Sequence, residues 1–213
     1  MKLYQSVGPN PRVVLFYLAE KGLQIDRVLV DIMSGENRQG EWLKKHPRGG
    51  IPVLELDDGS LISEATVICD YLDERFPEKP LAGATPEARA AVRAAIRHID
   101  YSIGSPMMNG FRSAEGLPMF ENRMLCVPEA APGNKAYAQD GLRQADALLA
   151  TQPFVAGDSF TLADIALFCW VEFGAMVGQP MPDDAVHLKA WRDRIAAMPS
   201  AIASADAKHG LVA

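Results

Sequence analysis

The residues of this sequence that could do chemistry fall in four short stretches: SVGPNPR (6–12), HPRGG (46–50), the dipeptide Ile51-Pro52, and Glu64-Ala65. The dipeptide poses the sharpest question. PVLEL (52–56) alternates as a strand does, yet its first residue has no N–H to give a sheet ladder. One reading is an ordinary trans start to an edge strand, where proline is tolerated. The other is a cis Ile51–Pro52 bond. That bond would turn the backbone so that Ile51 offers both its N–H and its C=O to a peptide-like ligand paired alongside as a short extra strand. Glu64 stands at the start of an amphipathic run, where a carboxylate favours a helix N-terminus. Asn10 between two prolines fits a helix start, asparagine being a good N-cap and proline a favoured first helical residue. His46 and Arg48 read, on their own, as solvated loop charges. Farther along, Thr161 and Asp164 have the spacing of a capping box, with Phe160 placed for a hydrophobic staple.

The whole chain narrows what these residues can serve. It has 213 residues, 48% hydrophobic and 23% charged, which suits one compact protein of one or two domains. Its net charge is −6 and it has no basic cluster, which argues against a nucleic-acid partner. No apolar run approaches the ~18 residues of a membrane span, and the first residues lack the pattern of a secretory signal. His46, His98, His187 and His209 share no metal-ligand spacing, so no metal site is expected. Cys69, Cys126 and Cys169 lie far apart and form no CxxC, which reads as reduced thiols in a cytoplasmic protein.

The elements that must position the four stretches alternate in type. KLYQ (2–5) is a short strand with Leu3 and Gln5 on one face and Lys2 and Tyr4 on the other. A buried helix covers 13–22 and stops at Gly22. A strand covers 26–32, with Val28, Val30 and Ile32 at period two. A short, polar helix within 35–47 is closed by Pro47. PVLEL and SLIS flank DDG as a hairpin. An amphipathic helix over 64–77 places Val67, Ile68, Tyr71, Leu72 and Phe76 on one stripe. The order β-α-β-α-β-β-α implies a mixed sheet covered by helices. A Pro- and Gly-rich linker follows at 78–86, and the remainder reads as helices at 86–104, 118–126, 134–151, 161–177 and 183–198. Loops are expected near 105–117 and 128–133, where glycines and prolines gather.

The segment GGIPVLELDDGSLISEATVICDYLDERFP (49–77) resembles the glutathione-binding segment of the cytosolic glutathione transferases, in which a strand opens on a cis-proline and its hairpin leads into a helix. The linker, the helical remainder and GDSFTLADIALF (157–168) are similar to the same family, so the resemblance spans essentially the whole chain. It implies a thioredoxin-like domain (1–77), a linker (78–86) and an all-helical bundle domain (87–213), assembled as a homodimer, with glutathione as co-substrate. It implies that Ile51, beside Pro52, pairs with glutathione. Glu64 would meet its ammonium group, while the helix start at Ala65 takes its γ-glutamyl carboxylate. Many relatives carry serine where this chain has Ala65. Arg48 or His46 would hold the glycine carboxylate, in place of the lysine that relatives often carry where Gly50 stands.

Glutathione becomes a strong nucleophile only as its thiolate. A two-unit fall in thiol pKa corresponds to ~2.7 kcal/mol of preference for the anion. Many classes supply it through a tyrosine, serine or cysteine in the loop after the first strand, and Gly8 occupies the common serine position here. GPNP (8–11) resembles the TPNG motif of the Nu class, whose asparagine contacts the sulfur; Asn10 matches that residue, and Ser6 is the second candidate. The chain also resembles a fungal and bacterial group that lacks the loop donor and recruits polar residues from the helical domain. Here that region is SPMMNGFRSAEG (105–116), with Asn109, Arg112 and Ser113 polar and Met107, Met108 and Phe111 apolar; a histidine the group carries near Arg112 is absent. Met108, Phe111 and Arg112 are the expected acceptor-substrate pocket. The implied reaction is conjugation of the glutathione thiolate to small, hydrophobic electrophiles, as in detoxification. Glutathione-dependent reduction of disulfides or peroxides, and a non-catalytic glutathione-binding protein, are the alternatives.

Overall fold

The computed structural model describes residues 1–205, which fall into two compact units: residues 1–80 joined by the segment from 197 onward, and residues 81–196. The expected helical domain runs to residue 213; its last eight residues lie outside the described ones. The first unit contains β1 (Lys2–Gln5), α1 (Pro9–Lys21), β2 (Asp26–Leu29), a 3-10 turn (Glu36–Arg38), α2 (Gly40–Lys45), β3 (Val53–Glu55), β4 (Leu61–Ser63) and α3 (Ala65–Arg75). The sheet order is β2-β1-β3-β4, with β1 parallel to β2 and the other two pairings antiparallel. This is the mixed, helix-covered sheet that the alternation implied, in the thioredoxin-like form that the resemblance implied.

Local chemistry explains most boundaries. Leu3 and Gln5 are fully buried on one face of β1, while Tyr4 on the other packs edge-on against Trp42. Gly22 adopts the left-handed conformation that closes α1 and returns its N–H to Ala19. β2 ends at Leu29, three residues before the expected end, although the Val30 N–H still reaches the Gln5 carbonyl at 2.8 Å. The buried side of α3 is Ala65, Ile68, Cys69 and Leu72, and Val67, expected on the stripe, is half exposed. Between α1 and α3, Tyr17 and Lys21 both donate to one Asp73 oxygen, at 2.7 and 2.9 Å. Burial and the Asp73 charge push the Tyr17 phenol far up, so the hydroxyl stays a donor. A short last helix, α10 (Pro199–Ala203), belongs to this unit and lies on α1, where Ser200 donates to Glu20.

The second unit is helical: α4 (Pro86–Ile99), α5 (Ser105–Arg112), α6 (Leu117–Phe120), α7 (Ala131–Leu149), α8 (Leu162–Met176) and α9 (Val186–Ala196). α8 is buried on nearly every side and forms its centre. The expected loop at 105–117 is instead largely α5. A π turn (Asp100–Gly104) carries α4 straight into it, and Pro106 sits in the first turn, where its missing N–H does no harm. The glycines are there for close packing. A Cβ on Gly104 would lie 2.6 Å from the Trp170 ring of α8, and one on Gly110 2.8 Å from the Lys135 side chain of α7. Gly104→Ala is therefore expected to cost about 1–3 kcal/mol through overpacking. Thermal unfolding at the wild-type midpoint would show that this contact is not as tight as described.

Candidate functional site

Strand register brings the predicted residues to one end of the sheet. Tyr4 pairs with Val53 and Val53 with Ser63, so the exit of β1, the entrance of β3 and the exit of β4 lie side by side. The stretch from Ser6 to Asn10, the Ile51-Pro52 dipeptide and Glu64-Ala65 all emerge there. The Ile51–Pro52 bond is cis. Neither the N–H nor the C=O of half-buried Ile51 has a partner among the described residues. A main-chain donor and acceptor on one residue, both open, suit an extended peptide laid alongside.

Two helices begin at the same end. α3 opens on Ala65 with no side-chain cap, which leaves its first-turn N–H groups and its positive dipole end available to an anion. Glu64 caps nothing: it is exposed, with φ 71° and ψ 121°, and is the only non-glycine residue at positive φ among those described. An L-residue held there stores strain of about 1–3 kcal/mol, a cost that collects at binding sites. α1 opens on Gly8, and prolines at 9 and 11 remove two of the usual free N–H groups. Asn10 is exposed in that first turn, and neither its N–H nor its side chain has a partner among the described residues. It sits inside the helix rather than at the N-cap expected from its sequence context.

Ser6 is placed differently from the expectation. It is 3% exposed and its hydroxyl donates to the Val30 carbonyl at 2.6 Å. Its one proton is committed to tying together the ends of the parallel strands β1 and β2, so it has none to donate to a thiolate.

The HPRGG loop flanks the open main chain of Ile51. Burial first, then the Arg48 charge, hold the His46 imidazole below its usual range, while Glu64 pulls it the other way. Glu64 and Arg48 thus both lie close enough to act on the His46 imidazole, an acid and a cation in one electrostatic neighbourhood. α2 is anchored just before the loop, where Lys45 pairs with the Glu55 carboxylate and donates to the Tyr4 hydroxyl at 2.7 Å. Sequence reasoning missed Asn37 and Arg38. Asn37 Nδ2 donates to the Gly49 carbonyl at 2.7 Å and Arg38 to the Arg48 carbonyl at 3.1 Å. The one available signal was asparagine's tendency to bond nearby main chain.

The expected acceptor residues lie in the second unit, on α5. Phe111 makes edge contacts with Phe120 and Phe173, and Phe173 with Trp170, with ring centroids 5.5–6.0 Å apart. The Arg112 guanidinium lies 5.3 Å from the Phe120 ring centre, and Met108 is half-buried on the same helix. Ser113 is buried and accepts the Val127 N–H, while Asn109 is exposed.

The open main chain of Ile51, the exposed Glu64, the uncapped start of α3 and the exposed amide of Asn10 thus gather at one end of the sheet. Known proteins resemble this chain over most of its length. Residues 3–80 match the family described as glutathione S-transferase, N-terminal domain, and residues 117–199 match its C-terminal domain. Glutathione S-transferase 2 of Saccharomyces cerevisiae is 32% identical over 94% of this chain and 87% of its own length. The crystal structure of Gtt2 from the same yeast superposes with a TM-score of 0.90 at 32% identity, covering 96% of this chain and all of that one. A glutathione S-transferase domain-containing protein from Marinobacter aquaeolei gives 0.88 at 36% identity, over 94% and 99%.

Proposed function

This chain belongs to the cytosolic glutathione transferase superfamily and is a glutathione transferase; we propose that it joins the sulfur of glutathione to small, apolar electrophiles. The observation that carries this reading is Ile51, whose two open main-chain groups lie at the end of the sheet where α1 and α3 begin, with Glu64 and Arg48 both close enough to act on His46. Glutathione's cysteinyl unit pairs with Ile51. Its ammonium meets Glu64, its γ-glutamyl carboxylate meets the α3 N–H groups at Ala65, and its glycine carboxylate meets Arg48 or His46.

Catalysis then asks for a thiolate. Asn10 supplies a main-chain N–H and a side-chain N–H₂ at the positive end of α1, and both stabilise the anion over the thiol. The thiol proton passes to solvent and the sulfur lone pair forms the S–C bond. The displaced electron pair leaves with the leaving group or, in an addition, takes a proton from water. Met108, Phe111 and Arg112 are the acceptor-side residues of this reading. The same thiolate could instead attack a disulfide, releasing one thiolate and forming a mixed disulfide that a second glutathione resolves without a cysteine of the protein. The reading extends to a homodimer in the cytoplasm with a role in detoxification. Cys69, Cys126 and Cys169 are free thiols, as a reducing compartment would keep them.

The test is Asn10→Ala beside Ser6→Ala, each followed by a conjugation assay and a disulfide-reduction assay. Losing a charge-assisted hydrogen bond should lower turnover in Asn10→Ala about 10- to 100-fold and raise the pKa of the bound thiol by about one to two units. Ser6→Ala should lower stability by about 0.5–1.5 kcal/mol through loss of one buried hydrogen bond, the Val30 carbonyl keeping the Ile32 N–H, with activity of the folded enzyme close to normal. Wild-type turnover in Asn10→Ala would remove Asn10 from the mechanism. A wild-type protein that does not bind glutathione in titration calorimetry would remove the reading altogether.

A further inference from the structure

We propose that Asn37 and Arg38 are positioning residues for glutathione, acting through the loop that precedes Ile51; this rests on the reading above. The 3-10 turn Glu36–Arg38 has no part in the sheet and no side chain in the expected site, yet two successive residues reach across to two successive carbonyls of the HPRGG loop. Asn37 holds Gly49 and Arg38 holds Arg48. The two segments also touch through main chain: a Cβ on Gly49, whose φ is 61°, would stand 2.7 Å from the Asn37 carbonyl oxygen. The contact is thus a fixed seam rather than a passing hydrogen bond.

Its electrostatic sense matters more than its strength. Glutathione places carboxylates at both ends, and the glycine end falls on this loop. A carbonyl oxygen free to face it would repel it. With the carbonyls of residues 48 and 49 each turned to a donor of the 3-10 turn, the loop is left to present its cationic side chain and the main chain of Ile51. One further detail argues against a role in stability alone. Asn37 Oδ1 is buried with no partner among the described residues, an arrangement that costs free energy and that an apolar or smaller residue would avoid. What the asparagine uniquely supplies is the Nδ2 donor to Gly49.

Asn37→Asp keeps the shape, removes that donor and sets an acceptor against the Gly49 carbonyl. Its KM for glutathione should rise about five- to tenfold, the loss of one partly buried hydrogen bond. kcat at saturating glutathione and the KM for the electrophile should stay within about twofold. A purely structural brace would lower the melting temperature and the active fraction but leave the KM of the folded enzyme unchanged, and that outcome overturns the proposal. Arg38→Ala, at an exposed bond, serves if Asn37→Asp does not fold: glutathione KM should rise about two- to threefold, with Arg38→Lys restoring part of it through its own donor. Unchanged KM in Arg38→Ala as well as Asn37→Asp ends the inference even where the wild type binds glutathione. Failure of the wild type to bind it ends the functional reading instead, so the two failures are told apart.

Discussion

Replacing Glu64 by alanine is expected to raise the KM for glutathione about a hundredfold, and replacing it by glycine should do the same while making the protein harder to unfold. The first expectation follows from the pairing. Glu64 follows the end of β4, beside the start of β3 where Ile51 lies, and it has no internal duty: it caps no helix. A carboxylate that meets an ammonium only in the complex, and is desolvated there, contributes roughly 2–3 kcal/mol, or about two orders of magnitude in affinity. Glu64→Gln keeps the acceptor and loses the charge, so a rise of about tenfold is expected. The second expectation follows from the backbone. At φ 71° the side chain costs about 1–3 kcal/mol that glycine does not incur, and the greater freedom of glycine in the unfolded chain returns about 0.5–1 kcal/mol of it. The net gain of about 1 kcal/mol corresponds to a melting point 2–4 °C higher. Function and stability are thus set against each other at one residue. A glycine variant that melts lower than wild type and binds glutathione as well would refute both halves.

That opposition also marks where sequence reading reached and where it stopped. Period-two alternation in KLYQ, the DDG hairpin and the glycine after Lys21 are rules of one or two residues, and the chain obeys them. At Ile51–Pro52 the local rule left two forms, trans and cis, and it was the family resemblance that favoured the cis bond that is present. Three features escaped because each depends on a partner distant in sequence. Ser6 was the second candidate for the sulfur contact, but Val30, 24 residues on, accepts its proton. The glycines and proline between 104 and 116 looked like breaks. They turned out to be close-approach points, because Trp170 and Lys135 press on positions 104 and 110 where any Cβ would collide. The seam from Asn37 to Gly49 joins two polar loops with no periodicity to betray it. Spacing reports which groups could act together along a helix or strand; it does not report which carbonyl a buried hydroxyl has already taken.

Asp164→Ala is expected to be the most damaging single change to stability, at about 3–5 kcal/mol, although the residue touches nothing in the candidate site. The sequence suggested a two-residue capping box, and the box is present: the Thr161 hydroxyl accepts from the N-terminus of α8 and the Thr161 N–H donates to Asp164 at 2.9 Å. The carboxylate does more than close that box. One oxygen also accepts from the Val155 N–H at 2.9 Å and the Trp191 indole at 3.1 Å, and the other from the Thr161 hydroxyl at 3.1 Å. One fully buried side chain thereby fixes the start of α8, the loop before it and the face of α9. Burial pushes its carboxyl up, and the four donors oppose that shift. Truncation to alanine orphans three N–H groups at once, each costing about 1–3 kcal/mol when buried, with partial relief as the site relaxes. Thr161→Ala removes only the cap and should cost about 1 kcal/mol. Asp164→Asn turns an N–H₂ toward two donors and should fall between the two. Because total stability is only about 5–15 kcal/mol, urea midpoints should separate the three variants clearly, while the KM for glutathione of whatever fraction remains folded stays at the wild-type value. An Asp164→Ala midpoint no lower than that of Thr161→Ala would mean the box is the whole of the residue's contribution, and that the bonds to Val155 and Trp191 add nothing.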